Sequence, residues 1–280
     1  INRILWAITG TVLVAVSCAK QGSITGGPKD VDPPVVVKTK PPEYSVNFIP
    51  EKKIVITFDE YIQANNIFQE LIISPPLEGN LTTQIQGKNL IIQLPADELY
   101  DTATYTIDFG NSIEDVNEGN AIHDFRYVFS LKSYIDSLNV EGSLINAFDH
   151  KPDKERMLVM LYSNLNDSAP YLEKPSYISR SDESGNFSLH NIGEGKYRLF
   201  ALKDANFNLI YDLATEPVAF YDSVIDLSAG RFHNNIVLDT ITDNITDNIS
   251  TEIDSITSDT AFREAGYFAG IDSLGKDSFQ

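Results

Sequence analysis

Between residues 204 and 212 the chain reads Asp204-Ala-Asn206-Phe-Asn208-Leu-Ile210-Tyr-Asp212. Oxygen-bearing side chains fall at every second position, and Ile210 can offer its carbonyl. Calcium takes about six to eight oxygen ligands, and alternating Asp and Asn is how a short loop supplies them. The same residues fit a hairpin whose Asn and Asp side chains satisfy turn geometry, so both readings stand at this point. No other grouping offers chemistry. His123, His150, His190 and His233 share no spacing. There is no Gly-x-Ser-x-Gly elbow, no His-Glu-x-x-His zinc helix and no phosphate-cradling glycine loop. Asp59 and Glu60 are adjacent on a strand pattern and so point to opposite faces, which suits a strand end rather than an acid/base pair. The chain is expected not to be an enzyme, and calcium is the only ion its residues propose.

The spacing from Asp204 resembles the first half of an EF-hand-type loop. It departs from that loop at Leu209, where a glycine is wanted for the sharp turn, and no bidentate Glu stands at the twelfth position. A second signal is dispersed. Asp followed by Ser or Thr and then an aliphatic residue occurs around Thr102, Ser137, Ser168, Ser223, Thr240, Ser255, Thr260 and Ser273. This pattern resembles the O-glycosylation acceptor of Bacteroidota, and these eight hydroxyls are the acceptors it implies.

Cys18 is the only cysteine, so no internal disulfide is available and any core must hold by burial alone. It follows Arg3, an apolar run from Ile4 to Val16 and small residues, which is the layout of a secretion signal. The run has 13 residues, short of the roughly 20 that span a bilayer as a helix. Ala15-Val16-Ser17-Cys18 resembles a bacterial lipobox, with Ala where Leu is more usual. That resemblance implies cleavage after residue 17 and lipidation of Cys18. With no Met at position 1, the signal reads as clipped at its start.

The chain has 40 Asp+Glu against 21 Lys+Arg, a net charge of -19. Such a charge repels phosphate backbones and excludes nucleic acid as a partner. It also repels anionic headgroups, so membrane attachment must come from acyl chains, and stable anchoring takes more than one of them.

The elements that would hold these residues are strands. After a Gly/Pro-rich tether at 18–32, apolar residues alternate at Ile54/Ile56/Phe58, Leu90/Ile92/Leu94, Tyr105/Ile107/Phe109 and Phe125/Tyr127/Phe129/Leu131. With Val35–Lys38, Leu71–Ser74 and Leu81–Gln86 that makes seven short strands, and only Tyr61–Glu70 reads as a turn of helix. This is the profile of an immunoglobulin-like sandwich. A second strand set follows: Leu138–Leu144, Met157–Tyr162 (apolar throughout, as in a strand buried on both faces), Asp182–Leu189 and Gly195–Leu202. From Asp239 an Ile-x-x-x repeat of Thr, Asp and Asn begins. These are poor helix formers, and the segment reads as an acidic, mostly disordered tail.

Pro33-Pro34-Val35, Phe58-Asp59-Glu60-Tyr61-Ile62, Leu99, Thr104-Tyr105-Thr106-Ile107, Asp115…Gly119-Asn120 and Val128-Phe129-Ser130 together resemble the bacterial Ig-like domain of the S-layer (SbsA) type. Cys18-Ala-Lys-Gln-Gly…Gly26-Gly27-Pro28-Lys29-Asp30 ahead of them resembles an Ig-like lipoprotein family of Bacteroidota. The second set resembles the prealbumin-like or carboxypeptidase-regulatory-like sandwich. The expected organisation is all-β, with two consecutive Ig-like β-sandwich domains: signal 1–17, lipidated tether 18–32, Ig-like domain 33–132, second sandwich 136–238 and tail 239–280. The expected function is that of a non-catalytic, exported outer-membrane lipoprotein, facing the surface or the periplasm, which acts as a structural, adaptor or accessory subunit for a protein partner. The alternative is a binding module for surface glycan or peptide. A third is an enzyme whose catalytic part lies past Gln280.

Overall fold

The computed structural model describes residues 29–49, 53–79, 81–147, 149–152, 156–229 and 233–241. The first half holds β1 (Val36–Lys40), β2 (Ile54–Phe58), β3 (Ile62–Ala64), α1 (Ile67–Glu70), β4 (Ile72–Ser74), β5 (Thr82–Gln86), β6 (Asn89–Gln93), β7 (Thr104–Asp108), β8 (Ile113–Asp115) and β9 (Arg126–Ser130). One sheet has the order β1-β2-β6-β5 and another β4-β7-β9, with β3 and β8 paired to each other. Alternation decides which face is buried. In β2 the side chains of Ile54, Ile56 and Phe58 are buried and Val55 and Thr57 are only partly so. Between the sheets sits a core of Ile54, Ile56, Leu90, Ile92, Tyr105 and Ile107, closed by a cluster of rings. Phe129 packs against Phe48 at 4.3 Å and stacks on Tyr105 at 5.4 Å between centroids. The Asp115 carboxylate fixes the turn after β8 by accepting the N–H groups of Asn117, Glu118, Gly119 and Asn120. Those backbone donors hold its carboxyl below the usual range.

The second half holds β10 (Leu138–Asn146), β11 (Leu158–Tyr162), α2 (Ala169–Leu172), β12 (Tyr177–Arg180), β13 (Asn186–Ile192), β14 (Lys196–Leu202), β15 (Val218–Phe220), β16 (Ile225–Asp226) and β17 (His233–Ile241). Their sheet runs β12-β11-β14-β15-β17-β10-β13, with β16 on β14. It curls until its outer strands meet, where Ser179 Oγ donates to the Ser188 carbonyl at 2.7 Å. In this sheet β10 and β17 pair in parallel. The core inside contains Val140, Leu144, Val159, Leu161, Leu189 and Leu199. β11 is apolar throughout for a physical reason. Val159 and Leu161 face this core, while Met160 and Tyr162 face a third cluster with Ala169, Ile178 and Leu202.

The all-β, Ig-like architecture is as the alternation predicts. The differences lie at strand ends and in short strands. β3 and β8 replace the front of the turn expected from Tyr61. β12, β15, β16 and β17 have no separate counterpart in the sequence reading, because their apolar residues are few or interrupted by polar ones. β17 runs to Ile241, three residues into the stretch read as tail. It does so because Asp239, Thr240 and Ile241 pair with Phe220, Ala219 and Val218 of β15.

Candidate functional site

The loop from Asp204 leaves the end of β14 and folds over the outer face of β11. Leu209 and Tyr211 pack against the third cluster, Tyr211 N–H donates to the Pro170 carbonyl at 2.8 Å, and the Tyr171 and Tyr211 rings lie 4.8 Å apart. Phe207 and Leu209 take positive φ, 61° and 63°, a conformation that side chains other than glycine resist. What holds them there is Asp204. Its Oδ1 accepts the N–H of Asn206 (3.2 Å), Phe207 (2.7 Å) and Asn208 (3.3 Å), and its Oδ2 accepts that of Leu209 (2.8 Å).

Asp212 closes the ring. Its Oδ1 accepts the Asn206 side-chain amide at 3.0 Å and its Oδ2 that of Asn208 at 2.8 Å. The structure thus brings Asp204, Asn206, Asn208 and Asp212 together, as the spacing implies. The oxygens are turned toward the loop's own N–H groups: Asn208 Oδ1 accepts the N–H of Ile210 at 2.8 Å. For calcium to bind, the two Asn amides must present oxygen instead of NH2 toward Asp212. With only two carboxylates the site is a poor fit for tight calcium binding and a good one for a braced turn. Among the described residues no three of His, Cys, Asp and Glu gather as a metal site. A residue that the spacing does not reveal is Glu216. It is 3% exposed and accepts the N–H of Ala205 (2.9 Å) and Leu213 (3.4 Å), tying the loop's two ends.

Thr102, Ser137, Ser168 and Ser223 are exposed. Thr240 is the exception and corrects the sequence expectation. It is 3% exposed in β17, with its hydroxyl donating to the Ile145 carbonyl at 3.2 Å, so the folded chain does not offer it for glycosylation. Cys18, Ser255, Thr260 and Ser273 lie outside the described residues.

Two further features lie where the halves abut. One is polar. Asp108, Arg126, Ser188 and His190 share a small pocket there. Burial raises the Asp108 carboxyl above its usual range, and burial with the nearby Arg126 charge lowers His190 to about 4. His190 is therefore a neutral junction residue at physiological pH. The other is an apolar groove of about 430 Å³ between α1, β4 and the Asp204 loop. Leu71, Ile73, Leu77 and Leu158 lie along it, while Phe68 and Phe207 stand on its walls, 86% and 67% exposed.

With this geometry in view, residues 30–131 match the model of the bacterial Ig-like domain. Among solved structures the chain is similar to the major pilin subunit BcpA of Bacillus cereus, at 12% identity and a TM-score of 0.25 over 71% of this chain and 67% of that one. It is also similar to the pilus 2b backbone protein of group B streptococcus, at 11% identity and a TM-score of 0.23 over 74% of this chain and 97% of that one. No curated protein matches the chain.

Proposed function

We propose that this chain is a non-catalytic cell-envelope lipoprotein, held to the outer membrane through lipid on Cys18, and that it serves as a structural or adaptor subunit for a protein partner. What carries the reading is one arrangement. Two β units are locked at a hydrogen-bonded junction, and a lone cysteine stands upstream at the end of an apolar run. Asp136 N–H donates to Thr104 Oγ1 at 3.0 Å, Asn191 Nδ2 to the Asp136 carbonyl at 2.8 Å and Thr106 Oγ1 to Asn191 Oδ1 at 3.0 Å. A stiff joint of this kind transmits position, which suits a spacer or adaptor. The bacterial Ig-like match supports an extracytoplasmic setting. Cys18→Ser should move the protein from the membrane to the soluble fraction of lysed cells. Full retention of the variant in the membrane fraction would end the anchor reading.

The groove with Phe68 and Phe207 favours a second reading, in which the chain binds a peptide or glycan at the surface. Calcium belongs to either reading as a minor stabiliser of the Asp204 loop. With Kd near 1 mM, calcium at about 2 mM adds only about 0.6 kcal/mol to the folded state. Thermal unfolding should show a small calcium-dependent rise in the parent chain and none in Asp204→Ala/Asp212→Ala. Equal midpoints in calcium and chelator for the parent would leave the braced turn alone.

A further inference from the structure

We propose that the apolar groove is a docking site for this chain's own C-terminal segment Phe262–Phe268. The groove is an exposed apolar surface beside a loop built to present it. Phe207 stands out from the wall at positive φ because the Asp204 carboxylate gathers the N–H groups around it. A large exposed ring held in a costly backbone conformation is what a contact surface needs and what a solvated turn does not.

The path of the chain selects the occupant. Arg180 and Leu158 line the groove and are register partners. Leu158 pairs with Leu202, Leu202 with Val218 and Val218 with Ile241. These residues form one row across the sheet, so β17 delivers the chain three strand spacings from Leu158. At about 4.8 Å per spacing, Ile241 lies at most roughly 14 Å from the groove's edge. Residues 242–261 contain no aromatic residue. Those 20 residues have a maximum reach of about 70 Å, several times what is needed. Immediately after them stand Phe262, Tyr267 and Phe268, three rings within seven residues. Each can bury about 150–250 Å² against the groove. Arg263 and Glu264, which follow the first of these rings, are opposite in charge to the groove's Glu78 and to its Lys174 and Arg180 respectively. Because the segment is on the same chain, docking is intramolecular and needs only weak intrinsic affinity.

The consequence is regulatory. A partner that uses the groove must displace the segment, and a partner that takes the segment uncovers the groove. The inference does not depend on the lipid anchor or on the adaptor reading.

The test uses the full chain carrying Cys18→Ser, so that only introduced thiols are present. Phe207→Cys combined with Phe268→Cys should form an intramolecular disulfide under mild oxidation at high dilution. The yield should exceed by about fivefold or more that of Tyr61→Cys with Phe268→Cys, since docking raises the local concentration at the groove alone. Tyr61 is 63% exposed and lies outside the groove. A second measurement avoids cysteines. A stop after Thr260 should increase fluorescence of an apolar dye such as anilinonaphthalene sulfonate, and a synthetic 261–270 peptide should reverse the increase. Equal disulfide yields at the two positions would overturn the proposal. So would dilution-sensitive dimers as the only product, which would assign the groove to a second copy. Unchanged dye binding on truncation would overturn it as well.

Discussion

Gly142→Ala is expected to lower the thermal midpoint of the chain by roughly 6–12 °C, the shift that about 3 kcal/mol produces in a cooperative unit of about 200 residues. The position explains the size of the effect. Gly142 lies between Val140 and Leu144 on the inward row of β10, both of which are fully buried. It is paired on one side with Ile236 in the parallel β17 and on the other with Phe187 in the antiparallel β13. A Cβ there would collide with the Ile236 carbonyl oxygen and come within 2.6 Å of the Phe187 ring. A ring can turn aside, but a backbone carbonyl held in a sheet cannot move without breaking register. Overpacking of this kind costs about 1–3 kcal/mol and more where backbone must shift. The ladder shows the same constraint, since the register between β10 and β17 slips between Val140 and Gly142. Circular dichroism melts of the parent, Gly142→Ala and Ser143→Ala check it. A midpoint for Gly142→Ala equal to that of Ser143→Ala would mean that the close approach is not a constraint.

Legibility followed periodicity. The strands with alternating apolar residues, such as Ile54–Phe58 and Tyr105–Phe109, announce themselves because one face is buried and the other is not. β11 was legible for the opposite reason, being buried on both faces. β15 and β16 are two or three residues long, and β17 reads Asn-Asn before its apolar residues, so no window on the sequence separates them from loops. In the Asp204 loop the alternation of Asp and Asn correctly gathers four side chains. Spacing alone could not show that Asp204 spends its oxygens on four backbone N–H groups, nor that Glu216 closes the loop from outside the motif. Thr240 shows the limit of a tripeptide pattern. It carries the acceptor sequence, and its hydroxyl is buried against Ile145.

The junction between the halves was the least legible part, because its partners are far apart in sequence, and it yields the second large expectation. Glu70 sits at the end of α1 and accepts from Arg156 Nη1 at 3.0 and 3.1 Å and from Arg180 Nη1 at 3.3 Å. Arg180 also donates to the Gln69 and Glu70 carbonyls, at 2.5 and 3.2 Å. Nearby, Ile178 N–H donates to Ser74 Oγ at 3.0 Å, and Ile72 packs against the cluster of Met160, Tyr162 and Leu202. The Glu70 and Arg180 side chains are 21% and 17% exposed. Burial makes the Arg180 charge costly and lowers its affinity for a proton, with Glu70 opposing that effect. Glu70→Ala would leave this partly buried guanidinium without its carboxylate. Breaking a fully buried pair in this way costs about 3–5 kcal/mol, and residual exposure here reduces that to about 2 kcal/mol. The effect should also appear in the shape of unfolding. The parent chain is expected to unfold in one transition, because each half buries groups that only the other half satisfies. Glu70→Ala should separate the halves into two transitions, and a fragment of residues 33–132 should melt cooperatively but below the intact chain. A double-mutant cycle with Arg180→Ala isolates the pair. A coupling energy near zero, together with a single unshifted transition in Glu70→Ala, would show that the Glu70–Arg180 pair does not hold the halves together. The hydrogen bonds among Thr104, Thr106, Asp136 and Asn191, on which the adaptor reading rests, would then be what stiffens the joint.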